Sequence, residues 1–185
     1  MTKKKGGIQF YFEIKKDTGP DLTDRIEQFL KRLTKQQTVV GVTEKKSLRE
    51  EGETTNAEIL HINEFGAVLD GIVIPERSLI RATFDKGVTR YQRALKKLIL
   101  QEIEDKSFNV EKVYGLIGTL YHRDLIKTLK KGLAPGLAEL TKALRLQARK
   151  GRKELKGDEG LKMLPLIDTG HLKAALDYEI RKRRR

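Results

Sequence analysis

The chain has no cysteine, no tryptophan, two methionines and four prolines among its 185 residues. Without cysteine there can be no disulfide and no thiolate metal site, which suits assembly in a reducing cytoplasm. With no tryptophan and 6% aromatic residues, the core must be built mainly from leucine, isoleucine and valine. No apolar run approaches the ~20 residues that span a bilayer. Residues 1–7 are basic, but no apolar stretch follows them, so no secretion leader is expected. Catalytic signatures are missing as well. Gly115 and Gly118 are not followed by the lysine and hydroxyl residue of a phosphate loop, and there is no nucleophile elbow. His61 and Glu64 share one predicted helix face and could touch one metal in principle, yet no second histidine stands at ligand spacing. A surface histidine beside a turn-fixing glutamate is the favoured reading. His122, next to Arg123 and Asp124, reads as a solvated helix face, and His171 as a local packing or capping residue. No carboxylates converge at a telling spacing, so no enzyme, no metal and no cofactor are expected.

What the chain does have is charge. Charged residues make up 35% and hydrophobic residues 38%, which is polar for a globular protein but too apolar for disorder throughout. The length suffices for a single domain over 1–185 with a real core. The net charge of +13 is uneven, with 18 Lys and Arg against 8 Asp and Glu in residues 121–185, and 21 against 18 before them. A basic C-terminal third implies an anionic neighbour, either nucleic acid or an acidic protein face; the plainer alternative is a solvated surface that keeps the chain soluble.

Periodicity gives an α+β reading: a small antiparallel sheet packed against several helices, one of them long. Residues 8–15 alternate as a half-buried strand. Asp21 can cap a helix to about Lys35 with one apolar stripe, and Thr38–Thr43 reads as a strand. Residues 44–54 are polar and are expected to form a mobile loop. A short helix follows from Thr55 to Phe65, with Gly66 at its end, and then an extended or turning stretch to Leu79. Apolar steps of three and four predict a long helix from about Phe84 to Asp105. Asn109 caps the next helix and Gly132 ends it; Gly115 and Gly118 inside it allow close packing. Pro135 suits the first turn of a further helix to about Lys150. Residues 150–161 read as a loop, Thr169 as a cap for one turn around His171–Leu176, and Tyr178–Arg181 as a last strand before a basic tail.

Two phrases stand out. The first joins Asn56-Ala57-Glu58-Ile59 to Asn63-Glu64-Phe65-Gly66 and Ile74-Pro75-Glu76-Arg77. The second is Pro165-Leu166-Ile167-Asp168-Thr169-Gly170-His171-Leu172, with Tyr178 behind it. Each combines a turn former, a charged side chain and apolar anchors, which suits a shaped contact surface. Glu64 is predicted in the last turn of a helix, where the dipole disfavours a carboxylate, so a specific cation is expected beside it. Arg77 or an arginine of a neighbouring subunit would serve; a solvent-facing Glu64 is the alternative. Pro75 makes a rigid bend, and Gly170 permits an unusual backbone angle. Together with the Val39–Val42 strand and the Gly132–Gly151 phrase "GLAPGLAELTKALRLQARKG", this order resembles the tail-completion or head–tail joining (neck) proteins of tailed bacteriophages, of the Mu-like virion morphogenesis group.

The resemblance implies a small α+β virion protein, made in the host bacterial cytoplasm and located at the neck or head-proximal tail end. It implies a cyclic homo-oligomer, a hexamer or dodecamer, that meets portal or connector, tail terminator or tail tube proteins and the genomic DNA in the channel, with no membrane. Glu64, Phe65, Pro75, Arg77, Asp168 and Thr169 are the expected interface residues. Lys142, Arg145, Arg149, Arg152, Arg183, Arg184 and Arg185 are the expected contacts to DNA or an acidic partner. The basic tails and the 44–54 loop would act as intersubunit arms. The rival reading is a non-enzymatic nucleic-acid-binding protein that uses the basic C-terminal third.

Overall fold

Two long antiparallel helices form the frame of the molecule. A computed structural model of the chain describes residues 20–48, 54–69, 71–150, 165–166 and 170–183. Its elements are α1 (Pro20–Thr34), β1 (Gln36–Val42), a 3-10 turn (Glu44–Lys46), α2 (Asn56–Phe65), β2 (Ala67–Leu69), β3 (Ile72–Ile74), α3 (Leu79–Glu104), α4 (Val110–Lys131), α5 (Glu139–Lys150), α6 (His171–Ala175) and β4 (Leu176–Lys182). The fold is α+β, with α3 the longest helix and a small antiparallel strand component. The expected strand at 8–15 lies outside the described residues, as does the expected loop at 150–161 apart from Lys150, which ends α5.

The α3–α4 pair supports a core at each end. At the end nearest its connecting loop, α1 lays Ile26, Phe29 and Leu33 against Ile99, Phe108, Val110 and Val113. At the other end, α2, α6 and β4 bring Leu60, Leu172 and Leu176 onto Leu79, Leu125 and Leu129. As the composition requires, aliphatic side chains fill most of both clusters.

Strands β1 and β4 pair antiparallel from Gln36 against Lys182 to Val42 against Leu176. This ribbon packs on α4. Gly118 is what permits the approach: a Cβ there would collide with the ring of Tyr178 on β4. Gly115, by contrast, faces open space. Thr38 Oγ1 donates to the Tyr114 carbonyl (3.0 Å), and Tyr114 Oη donates to the Leu33 carbonyl (2.7 Å). These bonds tie strand, helix and α1 together.

Several sequence expectations are corrected. The long helix begins at Leu79, five residues before Phe84, because its first turn is capped by a distant side chain described below. Pro135 is not in the first turn of a helix; α5 begins at Glu139, and the Pro135 carbonyl is used elsewhere. His122 is no solvated face: it is half-buried, with Nε2 3.1 Å from the Leu176 carbonyl. Asp124 is buried, where it accepts from Tyr91 Oη (2.8 Å) and pairs with Arg90. The expected 44–54 loop is described only in part: in residues 44–48 the Ser47 carbonyl accepts from Asn56 N (2.8 Å) and Lys46 Nζ meets Asp177 at 2.7 Å, and residues 49–53 lie outside the described residues.

Candidate functional site

The first phrase folds into a helix, a hairpin and the start of a second helix. Thr55 and Glu58 close a reciprocal capping box at the start of α2, with Thr55 N donating to Glu58 Oε2 at 2.7 Å. Gly66 ends α2 with φ 73° and an extended ψ of 168°, which turns the chain straight into β2. A Cβ at Gly66 would press on the Ile74 carbonyl (3.0 Å) and Glu76 N (3.1 Å), so the position is closed to larger residues.

Glu64 is buried, and its partners are all within the chain. Its carboxylate accepts from Ser78 Oγ (2.7 Å), Ile80 N (2.9 Å), Arg81 N (2.9 Å) and Arg81 Nε (3.2 Å). The cation expected beside it is therefore Arg81, not Arg77. The glutamate sits at the unfavourable end of α2 but at the favourable end of α3, whose free amides and positive dipole it satisfies. Burial pushes the Glu64 carboxyl up, but the hydrogen bonds from Arg81, Ser78 and Ile80 outweigh it and hold it below the usual carboxylate range. Arg81 also reaches the Glu64 carbonyl (2.6 Å) and Glu76 (2.7 Å), and lies over the Phe65 ring at 4.9 Å. Sequence reasoning missed Arg81 and Ser78. The signal available was an arginine in the first turn of α3, in register with a displaced carboxylate.

This locked node carries an apolar hairpin into solvent. Strands β2 and β3 pair Ala67 with Ile74, Val68 with Val73 and Leu69 with Ile72. Val68 is 70% exposed, Ile72 67% and Val73 71%; Leu69 and Phe65 are also exposed. Isolated two-stranded hairpins are marginal in water, so the Glu64–Arg81 lock at its base is what holds this one in place. Pro75, half-buried, forms the exit bend.

Arg77 is buried and does other work. Its backbone N donates to the Asn63 carbonyl (2.6 Å), while Nε and Nη2 donate to the carbonyls of Pro135 (2.7 Å) and Gly136 (2.9 Å). Burial, and then the neighbouring Arg145 guanidinium, lower its pKa from the ordinary value. Arg77 and Arg145 line a cleft of about 230 Å³ with Asn63, Leu137, Leu166 and His171. The two phrases a hundred residues apart, and the one around Pro135, thus meet at one cleft. No match to this chain is found among protein-family models, curated proteins or solved structures.

Of the remaining expected contacts, Lys142 pairs with Glu139 (2.6 Å), and Arg183 is exposed beyond β4, its backbone N donating to the Lys35 carbonyl (2.8 Å). Asp168, Thr169, Arg152, Arg184, Arg185 and the side chain of Arg149 lie outside the described residues. Among the described residues no three His, Asp or Glu side chains could hold a metal, and no helix is long and apolar enough to cross a membrane. His61 is exposed and stacks on Phe65 at 4.9 Å.

Proposed function

We propose that this chain is a structural protein of a tailed-phage virion that joins or completes the head–tail connection at the neck or tail end as a ring-forming subunit. One observation carries the reading. The phrases that resemble the tail-completion group converge on one cleft, and the first of them also forms a buried node that holds an apolar hairpin out in solvent. Contiguous exposed apolar surface on a rigid base suits a contact with another protein. A second copy that met the hairpin through a different surface would bind head to tail, and such contacts make a ring where the rotation closes. The subunit works by fitting and needs neither catalysis nor a cofactor. Its partners are further copies of itself, the portal or connector, the tail terminator or tail tube, and the DNA they enclose; its place is the virion.

The test is direct. Light scattering and negative-stain microscopy of the purified full chain, alone and with tail tube, are expected to give a closed ring of fixed copy number. A chain that stays monomeric at all concentrations and does not enter particles would end the proposal. In the rival reading the C-terminal third binds nucleic acid, but two of its basic residues are engaged within the chain: Lys142 with Glu139 and Arg145 at the cleft.

A further inference from the structure

A further positive surface lies along α3, outside the C-terminal third except for Lys127 of α4. Between Lys86 and Gln101, α3 carries five cations and no acid. All five are exposed. Lys86, Arg90, Arg93 and Lys97 follow steps of four, three and four, which puts them on one helix face over about 16 Å at ~1.5 Å per residue. Their neighbour across the helix pair is Lys127 of α4. Lys86, Arg90 and Lys127 edge an open groove of about 340 Å³ between the two helices.

The floor of that groove is built rather than incidental. Gly87 leaves room for the Tyr91 ring, which a Cβ at that position would strike. Tyr91 Oη then reaches the buried Asp124 at 2.8 Å, and Asp124 in turn pairs with Arg90 and fixes its guanidinium at the rim. Thr83 is buried at the floor, its Oγ1 with no hydrogen-bond partner. Among the described residues Asp124 is the one acid that lines the groove, and it pairs with Arg90. Neither Lys86 nor Lys127 makes an ion pair with another described residue.

We propose that the α3–α4 groove seats the phosphates of a nucleic-acid backbone. Lys86, Arg90 and Lys127 surround one phosphate, and Arg93 and Lys97 continue the track along α3. A row of cations suits a row of phosphates, whereas a single acidic side chain would meet only one of them. Each duplex strand places a phosphate every ~3.4 Å along the axis, so a run of phosphates passes within reach of the whole row. Contacts of this kind position the backbone and read no sequence. The groove thus goes beyond the assembly reading, on elements that the hairpin contact does not use.

The test is fluorescence anisotropy of labelled duplex DNA with the full chain across a salt series. The wild type is expected to bind, with affinity that falls steeply as salt rises, by a log–log slope of about −0.9 per phosphate contacted. The double variant Lys86→Glu/Lys127→Glu changes two exposed side chains, and a thermal melt checks that it still folds. It is expected to lose about tenfold or more in affinity, and about two from the salt slope. Lys31→Glu, on α1, where Lys31 pairs with Glu27 and does not line the groove, is expected to leave both unchanged. Three results would overturn the proposal: no DNA binding by the wild type at low salt, equal binding by the double variant, or tighter binding of polyglutamate than of duplex DNA at equal charge, which would mark an acidic protein face instead. Ring formation is scored in the same preparations without DNA, so failure here leaves the assembly reading standing.

Discussion

Two buried glutamates occupy matching places in this fold and are used differently. Glu64 closes the last turn of α2 and caps α3; Glu102 closes the last turn of α3 and caps α4. Each sits at the wrong end of its own helix and the right end of the next. Glu102 accepts from Ser107 Oγ and Asn109 N (3.0 Å) and pairs with Lys112 (2.6 Å), so it fixes the tight turn between the long helices. Glu64 fixes a longer connection, from which the strands Ala67–Leu69 and Ile72–Ile74 are pushed out as the apolar hairpin. One device therefore serves a core junction in one place and a presented surface in the other. What differs is the length of chain between carboxylate and cap.

The largest expected effect comes from breaking the first junction. Glu64→Ala leaves two backbone amides, Ser78 and Arg81 without their acceptor in a buried site, and is expected to cost about 3 kcal/mol. Chemical denaturation measures the loss. Hydrogen exchange of the 67–74 amides is expected to accelerate more than that of α4, since the hairpin loses its base. A variant that folds as well as the wild type and still builds particles would remove the role assigned to Glu64.

Glu102→Ala is expected to cost less, about 2 kcal/mol, because Ser107 and Lys112 can turn to water and only the Asn109 amide is left in a part-buried site. Its exchange signature is expected in the α3–α4 turn and not in the hairpin. If both variants loosened the same segment, the two junctions would not be separate devices.

Acid is expected to weaken both junctions. Burial pushes the Glu102 carboxyl up, but Lys112, Ser107 and Asn109 pull it below the usual range, as the donors around Glu64 do there. A carboxylate with a lowered folded-state pKa adds stability above its unfolded pKa of ~4.3, and that stability is lost as pH falls through the folded value. Unfolding free energy is therefore expected to drop as pH falls below that point. The Glu64→Gln/Glu102→Gln double variant is expected to start lower at neutral pH and to show a shallower drop. An unchanged acid profile would assign acid sensitivity to other carboxylates.

These junctions also mark how far the sequence could be read. Local signals worked. Asn109 caps α4 through a 2.9 Å bond from Lys112 N, and Gly132 ends that helix. The helix from Thr55 to Phe65 is where the periodicity puts it, although the T-x-x-E capping box at Thr55 and Glu58 went unread. Gly118 was read as a close-packing site, although its partner, the Tyr178 ring, comes from a strand and not a helix. What failed was non-local. Leu79–Thr83 has no local cap, because Ser78 makes no side-chain capping bond and donates instead to Glu64. Asp124 looked like a surface residue because Tyr91 and Arg90, which bury and pair it, lie on another helix. Arg77 looked like a partner for Glu64 by proximity in sequence, whereas its reach carries it to Pro135, 58 residues away. At the cleft, each phrase could be recognised on its own, but their meeting could not.

The smallest thermodynamic effect is expected at the hairpin tip and is the one that separates support from contact. Val68 and Val73 are directly paired and largely exposed, so Val68→Lys/Val73→Glu adds a cross-strand ion pair while removing little buried area. Stability is expected to change by no more than about 0.5 kcal/mol. Ring formation, followed by light scattering, is expected to be lost, because a subunit interface cannot bury two charges where it had buried two valines. A stable variant that no longer assembles would locate the contact on the hairpin and leave Glu64 as its support. A stable variant that assembles normally would move the contact elsewhere and leave the hairpin's exposed apolar surface without a partner.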